Sequence, residues 1–174
     1  MARAMTGSLP SSPILFELLR HNLWANMALA DFCLALPDDV METTIPGTYG
    51  GIRKTLAHMA GAEERYLAAL TGGPERRNPT LEQTNPDLAT AREHLRQSSE
   101  GLIDFAERVE GDPTLTVIWH SETLEMPVSL FLVQAINHAT EHRTQIKTAL
   151  TQAGIEPPEL DGWNWDDARQ ASRG

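Results

Sequence analysis

Four long segments of the chain carry apolar side chains at intervals of three or four residues, which is the period of an α-helix. They extend over 14–36, 52–70, 88–109 and 127–149. Each segment would present one apolar stripe, and a stripe is stable only when it is buried against another element. The pattern therefore predicts an all-α fold, a four-helix bundle whose stripes share one core.

Proline, glycine and polar residues mark where these helices should begin and end. Pro37 stops the first segment and Gly154 caps the fourth. Just before the third segment, we predict that Asn85 is the N-cap of the helix and that Pro86 is its first residue. Asp87 should place a favourable negative charge near the start of the helix dipole.

A stretch between the third and fourth segments has a different pattern. Its two halves, "TLTVIWH" and "TLEMPV", are rich in β-branched residues and flank "SE". This composition predicts a short hairpin over 114–126. We therefore expect the bundle to carry a hairpin or loop insert before its last helix.

The length of 174 residues is typical of one domain. We predict that 13–165 form this domain and that 1–12 are a disordered N-terminal segment without the apolar core of a signal peptide. Residues 166–174 are expected to be a polar C-terminal tail with a mobile end.

Charge and cysteine content narrow the range of partners and locations. With 14 Lys and Arg against 24 Asp and Glu, the formal net charge is -10, so we expect no nucleic-acid partner and no anionic membrane surface. No stretch approaches the roughly 18 apolar residues that span a membrane. The single cysteine, Cys33, cannot form an intrachain disulfide, which favours the cytoplasm, and its spacing predicts a buried thiol.

The first helix carries polar groups near its buried face. Asn22 interrupts the apolar stripe, and His21 and Asn26 flank it. An unpaired polar group in a core costs about 1–3 kcal/mol. We therefore expect these side chains to have partners there.

Two histidines occupy inward-facing positions of the fourth helix. His138 and His142 are four residues apart, so their side chains lie one turn apart on the same face and can share a metal ion. Imidazole suits Zn, Ni, Cu or Fe, but two ligands make a weak site. His58, bordered by the small residues Thr55 and Ala62 on the second helix, is the best candidate for a third ligand.

Two other interpretations of this pair stay open on spacing alone. The histidines can be hydrogen-bonded core or surface residues without a metal. The stretch also fits H-x-x-E-H, a zinc-peptidase pattern in which Glu141 would be the general base. The peptidase interpretation is disfavoured, because the short chain after His142 offers a third ligand only in loop-like sequence.

The segments "LLRHNLWANMAL", "TYGGIRKTLAHMAGAEERYLAAL" and "INHATEHRTQIKTALTQAGIEPPELD" resemble the DinB/YfiT family of metalloenzymes. The resemblance covers about 14–161, and its most specific part combines "LAHMAGAE" with "NHATEHRTQI". It implies a four-helix bundle with a divalent metal held by His58, His138 and His142. Zn or Ni is favoured, and Fe, Mn or Cu is compatible. One departure is Thr144, where many members have glycine, but this position is not a ligand.

Three protein ligands leave one coordination position open, as in catalytic sites. Characterised relatives include bacterial thiol S-transferases and thiol-dependent isomerases. The resemblance therefore implies an enzyme that transfers a low-molecular-weight thiol to an electrophilic small molecule, in stress response or detoxification. It also implies pairing into a homodimer.

Two alternatives accompany this interpretation. One is a metal-dependent hydrolase that uses a metal-bound water, with Glu141 or Glu63 as its base. Glu141 could instead support a ligand by hydrogen bonding. The other is a metal-binding stress protein without turnover.

Several further residues have open roles. His21 and His120 match no ligand position of the family. The tryptophans can line a pocket, form a subunit contact or pack the bundle; they are Trp24, Trp163 and Trp165.

Overall fold

The computed structural model describes residues 12–73, 82–83, 85–119 and 121–172. Within these residues the chain forms six helices and two strands. In chain order they are α1 Pro13–Leu34, α2 Asp38–Met41, α3 Ile52–Leu70, α4 Leu88–Arg108, β1 Thr114–Trp119, β2 Glu122–Pro127, α5 Val128–Gln152 and α6 Gly162–Ala171. The fold is mainly helical, as predicted. The all-α label does not describe it fully, because β1 and β2 form a small antiparallel sheet.

The four long helices pack side by side around the core. α3 contacts both α4 and α5, and α1 contacts the same two helices. One cluster of buried apolar residues includes Leu29, Leu95 and Ile146, and a second includes Leu102 and Phe131. Because α3 and α5 are in contact, side chains on their facing sides can meet. No helix in the described part of the chain is both long and apolar enough to cross a membrane.

The hairpin lies against α3 near the second core cluster. Its register runs from Thr114 opposite Pro127 to Trp119 opposite Glu122, which agrees with the predicted position. Val117 is buried in the second cluster. The hairpin therefore brings the half-buried Trp119 next to the side chains of α3.

The predicted start of α4 was wrong by two residues. The N-cap is Asp87, whose carboxylate accepts the backbone N–H of Thr90 at 2.7 Å, and Asn85 and Pro86 precede it. A carboxylate at the N-cap satisfies a free N–H and also complements the helix dipole. Asp87 therefore provides both effects that the sequence analysis had divided between two residues.

The end of the chain contains a helix that the sequence analysis did not predict. Asp161 caps α6 by accepting the backbone N–H groups of Trp163 and Asn164. Residues 166–171 of the expected polar tail belong to this helix, which contacts α1. The N-terminal segment 1–11 and His120 lie outside the described residues, so the predictions made for them stay predictions.

Candidate metal centre

Three histidine side chains from two helices converge. His58 lies on α3, and His138 and His142 lie one turn apart on α5. The Nε2 atom of His138 is 3.1 Å from that of His58 and 3.2 Å from that of His142. One ring nitrogen from each residue lies within 4.8 Å of the others. The fold thus brings together the three histidines that were selected from the sequence as candidate ligands.

Small side chains let α3 and α5 approach closely at this cluster. Thr55 and Ala62, which border His58, are both buried. Ala135 and Ala139 are fully buried on the facing helix. The imidazole rings can therefore meet across the interface.

The spacing of the three nitrogens fits the donor set of a divalent metal. Two nitrogens bound to a tetrahedral zinc ion at about 2.0–2.1 Å lie about 3.3 Å apart. The observed separations are 3.1 and 3.2 Å. Nε2 of His138 faces both other nitrogens, yet one ring nitrogen makes only one good hydrogen bond, as donor or acceptor. A shared cation satisfies the lone pairs together, so the three histidines can hold a metal ion.

Gln145 fixes the tautomer of His142. Its side-chain oxygen lies 2.8 Å from Nδ1 of His142 and also accepts the backbone N–H of Tyr49 at 3.3 Å. Because a backbone N–H only donates, the amide atom between them is the oxygen, and Nδ1 of His142 carries the proton. In this tautomer Nε2 of His142 is unprotonated and lies towards the other two histidines, as metal binding requires.

Aromatic rings surround the cluster. Tyr49, from the loop before α3, stacks on His58 with ring centroids 3.8 Å apart. Tyr66 meets His138 at a T-shaped angle, with centroids 5.9 Å apart, and Trp119 stacks on Tyr66. His58 and His138 are only half-buried, and Tyr49 is 46% exposed. The cluster is therefore partly exposed to solvent.

Burial keeps two of the histidines neutral. It lowers the pKa of His58 to about 3 and the pKa of His138 to about 4. Neighbouring histidines and the cation Arg65 add to both shifts. Both imidazoles are therefore uncharged at neutral pH, which leaves a lone pair on each ring.

A buried polar network fills the core between α1, α3 and α4. Glu63, only 1% exposed, accepts hydrogen bonds from the side-chain amides of Asn22 at 3.1 Å and Asn26 at 2.9 Å. The hydroxyls of Ser98 and Ser99 donate to its other oxygen. The two asparagines thus have the core partners that the sequence analysis expected.

Arg143, the residue after His142, joins this network from α5. Its guanidinium donates to the side-chain oxygens of Asn22 at 2.7 Å and Asn26 at 2.6 Å. Burial lowers the pKa of Arg143 to about 10, although the charge of Glu63 opposes the shift. Burial also raises the pKa of Glu63, against the effect of its hydrogen-bond donors. The asparagines therefore bridge a buried guanidinium and a buried carboxyl group, and they tie α5 beside His142 to α1.

The other residues singled out in the sequence lie in different settings. Glu141 is exposed on α5, and its role as a base or as a support for a ligand stays a prediction. Nε2 of His21 donates to the backbone carbonyl of Leu160 at 2.8 Å, which gives this histidine a packing role. Trp24 packs against Trp165, with centroids 5.6 Å apart.

The packing interpretation is confirmed for Trp24 and Trp165, which join α1 to α6, whereas Trp163 is 83% exposed.

Trp119 of the hairpin was missed by sequence reasoning. It contacts Tyr66, which in turn packs against His138 of the cluster. Its place in the predicted hairpin gave no signal of this contact, because the docking of the hairpin on α3 is a long-range feature.

These observations define a mainly helical protein in which two packed helices present a histidine cluster able to hold a metal ion. The sequence profile of the DinB family matches residues 5–172, and the chain belongs to this family, as the resemblance indicated. The chain is 23% identical over 158 residues to Protein DinB of Bacillus subtilis (strain 168), and the match covers 86% of this chain and 92% of that protein. The crystal structure of a DinB-like protein from Bacillus cereus ATCC 10987 has the same fold, with a TM-score of 0.62 at 18% identity over 83% of this chain and 94% of that one.

Proposed function

We propose that this protein is a metal-dependent enzyme that transfers a low-molecular-weight thiol to an electrophilic small molecule. The observation that carries the proposal is the convergence of three imidazole Nε2 atoms, 3.1 and 3.2 Å apart, at a half-buried place that solvent can reach. His58, His138 and His142 would hold a divalent ion, with Zn or Ni favoured, and would leave one coordination position open. When bound, such an ion lowers the pKa of a thiol and supplies a thiolate at neutral pH.

The chain's own residues orient the groups around that position. Gln145 holds the ring of His142, and Tyr49 and Tyr66 pack against the rings of His58 and His138. In the transfer, a bond forms between sulfur and the electrophilic carbon while the leaving group departs with its electron pair. The thiol proton passes to solvent.

The positions of two carboxyl groups favour thiol transfer over hydrolysis. A hydrolase would need a base held next to the reacting water. Glu141 is exposed, and both oxygens of Glu63 already accept hydrogen bonds from buried side chains.

The similarity of fold also supports our inference that the four long helices form a bundle of the DinB type. The expected homodimer stays a prediction, which light scattering would test.

Elemental analysis tests the metal site. Wild-type protein purified without chelator or nickel resin is expected to contain about one equivalent of a divalent transition metal per chain. The variants His58→Ala, His138→Ala and His142→Ala are expected to lose it. His94→Ala, on α4, is the matched control and should retain it. Wild-type protein that is free of metal and fails to bind added zinc would contradict the proposal.

Thiol binding then separates an enzyme from a metal-binding protein without turnover. After replacement of the metal by cobalt(II), added thiol is expected to produce thiolate-to-cobalt charge-transfer absorption. The loaded protein should also accelerate the reaction of that thiol with a small electrophile, and His138→Ala should not. Metal that stabilises the fold but never exchanges a ligand with thiol would support the non-catalytic alternative.

A further inference from the structure

Two cations flank the histidine cluster along one face of α3. Lys54 lies four residues before His58 and Arg65 lies seven residues after it, so at 3.6 residues per turn the three side chains share a face. The Nζ atom of Lys54 is 5.7 Å from the centroid of the Tyr49 ring, which stacks on His58. Arg65 lies close enough for its charge to act on both His58 and His138.

Arg65 also lines a groove between α3 and β1, here called the Arg65 groove. Ala69 of α3 and Gly72 of the turn that follows α3 form one side of this groove, and Thr116 and Trp119 of β1 form the other. The groove is connected to the cluster by aromatic contacts, because Trp119 stacks on Tyr66 and Tyr66 packs against His138. A molecule that extends from the histidine cluster along α3 would therefore meet Arg65.

Neither cation is neutralised by the described part of the chain. Arg53, Arg92 and Arg96 form ion pairs with acidic side chains, but no described carboxylate forms one with Arg65 or Lys54. Arg65 is half-buried. The protein as a whole carries a formal charge of -10 and repels anions. Two cations without an ion-pair partner among the described residues therefore lie beside the cluster, and they create a local attraction for anions that the rest of the surface opposes.

We propose that Arg65 binds a carboxylate of the thiol substrate, so that this substrate is a small mercaptocarboxylic acid or a larger thiol that bears a carboxylate. The inference rests on the proposed function, because it places the reacting sulfur at the histidine cluster. A planar guanidinium can donate two parallel hydrogen bonds to a carboxylate. Trp119 supplies an apolar wall for the carbon chain. Seven residues of helix separate His58 from Arg65 by about 10 Å, which sets the span between sulfur and carboxylate.

The test compares two thiols that differ only in charge. Cobalt(II)-loaded protein is titrated with 6-mercaptohexanoate and with its neutral amide, and the thiolate-to-cobalt band gives both dissociation constants. We expect the carboxylate to bind about tenfold more tightly, because hydrogen bonds to an ionised group are stronger than neutral ones. Arg65→Gln should abolish this preference, and Arg65→Lys should restore part of it. Arg108→Gln, at the exposed end of α4, changes the net charge equally and should leave the preference intact.

A second measurement separates this inference from the proposed function. In metal-free 15N-labelled protein, the Arg65 Nε–Hε resonance is identified by its absence in Arg65→Gln and is followed during titration with hexanoate and with hexanamide. A shift with hexanoate alone, without a thiolate band from any thiol, would support the carboxylate site and overturn thiol transfer. A thiolate band with equal affinities, or a preference that survives Arg65→Gln, would overturn the carboxylate site and leave thiol transfer intact. If both the shift and the preference are absent, the carboxylate site is also overturned.

Discussion

The side-chain oxygen of Gln145 accepts the Nδ1 proton of His142 across one turn of α5, at 2.8 Å. The same oxygen accepts the backbone N–H of Tyr49, whose ring covers His58. One glutamine thus influences two histidines that come from different helices. It can be replaced without removing any of the three converging nitrogens.

We expect Gln145→Leu to weaken metal binding by about 10- to 100-fold, the usual effect of removing a partner that orients a ligand. His142 would lose the acceptor that keeps its proton on Nδ1. Competition with a chromophoric chelator measures the affinity. Gln152→Leu makes the same substitution at the end of α5 and should have no effect. Equal affinities in the two variants would show that Gln145 does not prepare His142.

Asn26→Leu should destabilise the fold strongly although the two side chains have similar volumes. Glu63 would lose a donor and Arg143 would lose an acceptor in the core. We expect the free energy of unfolding to fall by about 3 kcal/mol, because both buried groups become undersatisfied. Urea unfolding followed by circular dichroism measures this change. The exposed Asn137→Leu on α5 is the control, and a loss no larger than in this control would contradict the prediction.

Asp31 should make part of the stability dependent on pH. Arg92 of α4 donates to both carboxylate oxygens of Asp31 on α1, and this hydrogen bonding lowers the pKa of Asp31 below 3.8. Since the folded-state pKa is lower than the unfolded one, the ionised group stabilises the fold above the unfolded pKa. The contribution is lost as the pH falls through the lowered value.

Asp31→Asn should therefore lower the Tm at neutral pH, and the difference from wild type should shrink as the pH falls below 3.8. Thermal unfolding over a series of acidic buffers measures this difference. Asp104→Asn, at an exposed position of α4, should show a smaller difference at neutral pH. A gap between wild type and Asp31→Asn that is the same at every pH would rule out the ion pair as its cause.

Cys33 should be unreactive in the folded protein. It is fully buried, as the sequence predicted, and burial raises the pKa of its thiol to about 12. Because the thiolate is the reactive form, we expect negligible reaction with a disulfide reagent under native conditions. The same sample in guanidinium chloride should react fully. Fast labelling of the native protein would show that the core around Cys33 opens readily.

The helical period located the long helices well because each buries a continuous apolar stripe. The predicted segment 52–70 coincides with α3, and the predicted hairpin 114–126 differs from the strands by one residue at its end. His138 and His142 could be recognised because two imidazoles occupy inward positions of one helix. His58 could be selected because its neighbours Thr55 and Ala62 are small enough for close helix packing.

The features that were missed depend on contacts between distant parts of the chain. The hydrogen bond from Tyr49 to Gln145 joins positions 96 residues apart, and no local pattern announces it. The need of Asn22 for a partner was evident from its place in the stripe, but Arg143 lies 121 residues away. α6 was missed because none of its residues is fully buried, so it has no apolar stripe to detect.

The contact between His58 and His138 joins chain positions 80 residues apart. An ion held by both would act as a reversible cross-link that closes a long loop between α3 and α5. Because such a link exists only in the folded chain, its strength would add to the stability in proportion to the logarithm of the free metal concentration. The stability of the contact between α3 and α5 would thus depend on the free metal concentration. The resistance of this protein to unfolding or proteolysis would then report how much metal is available around it.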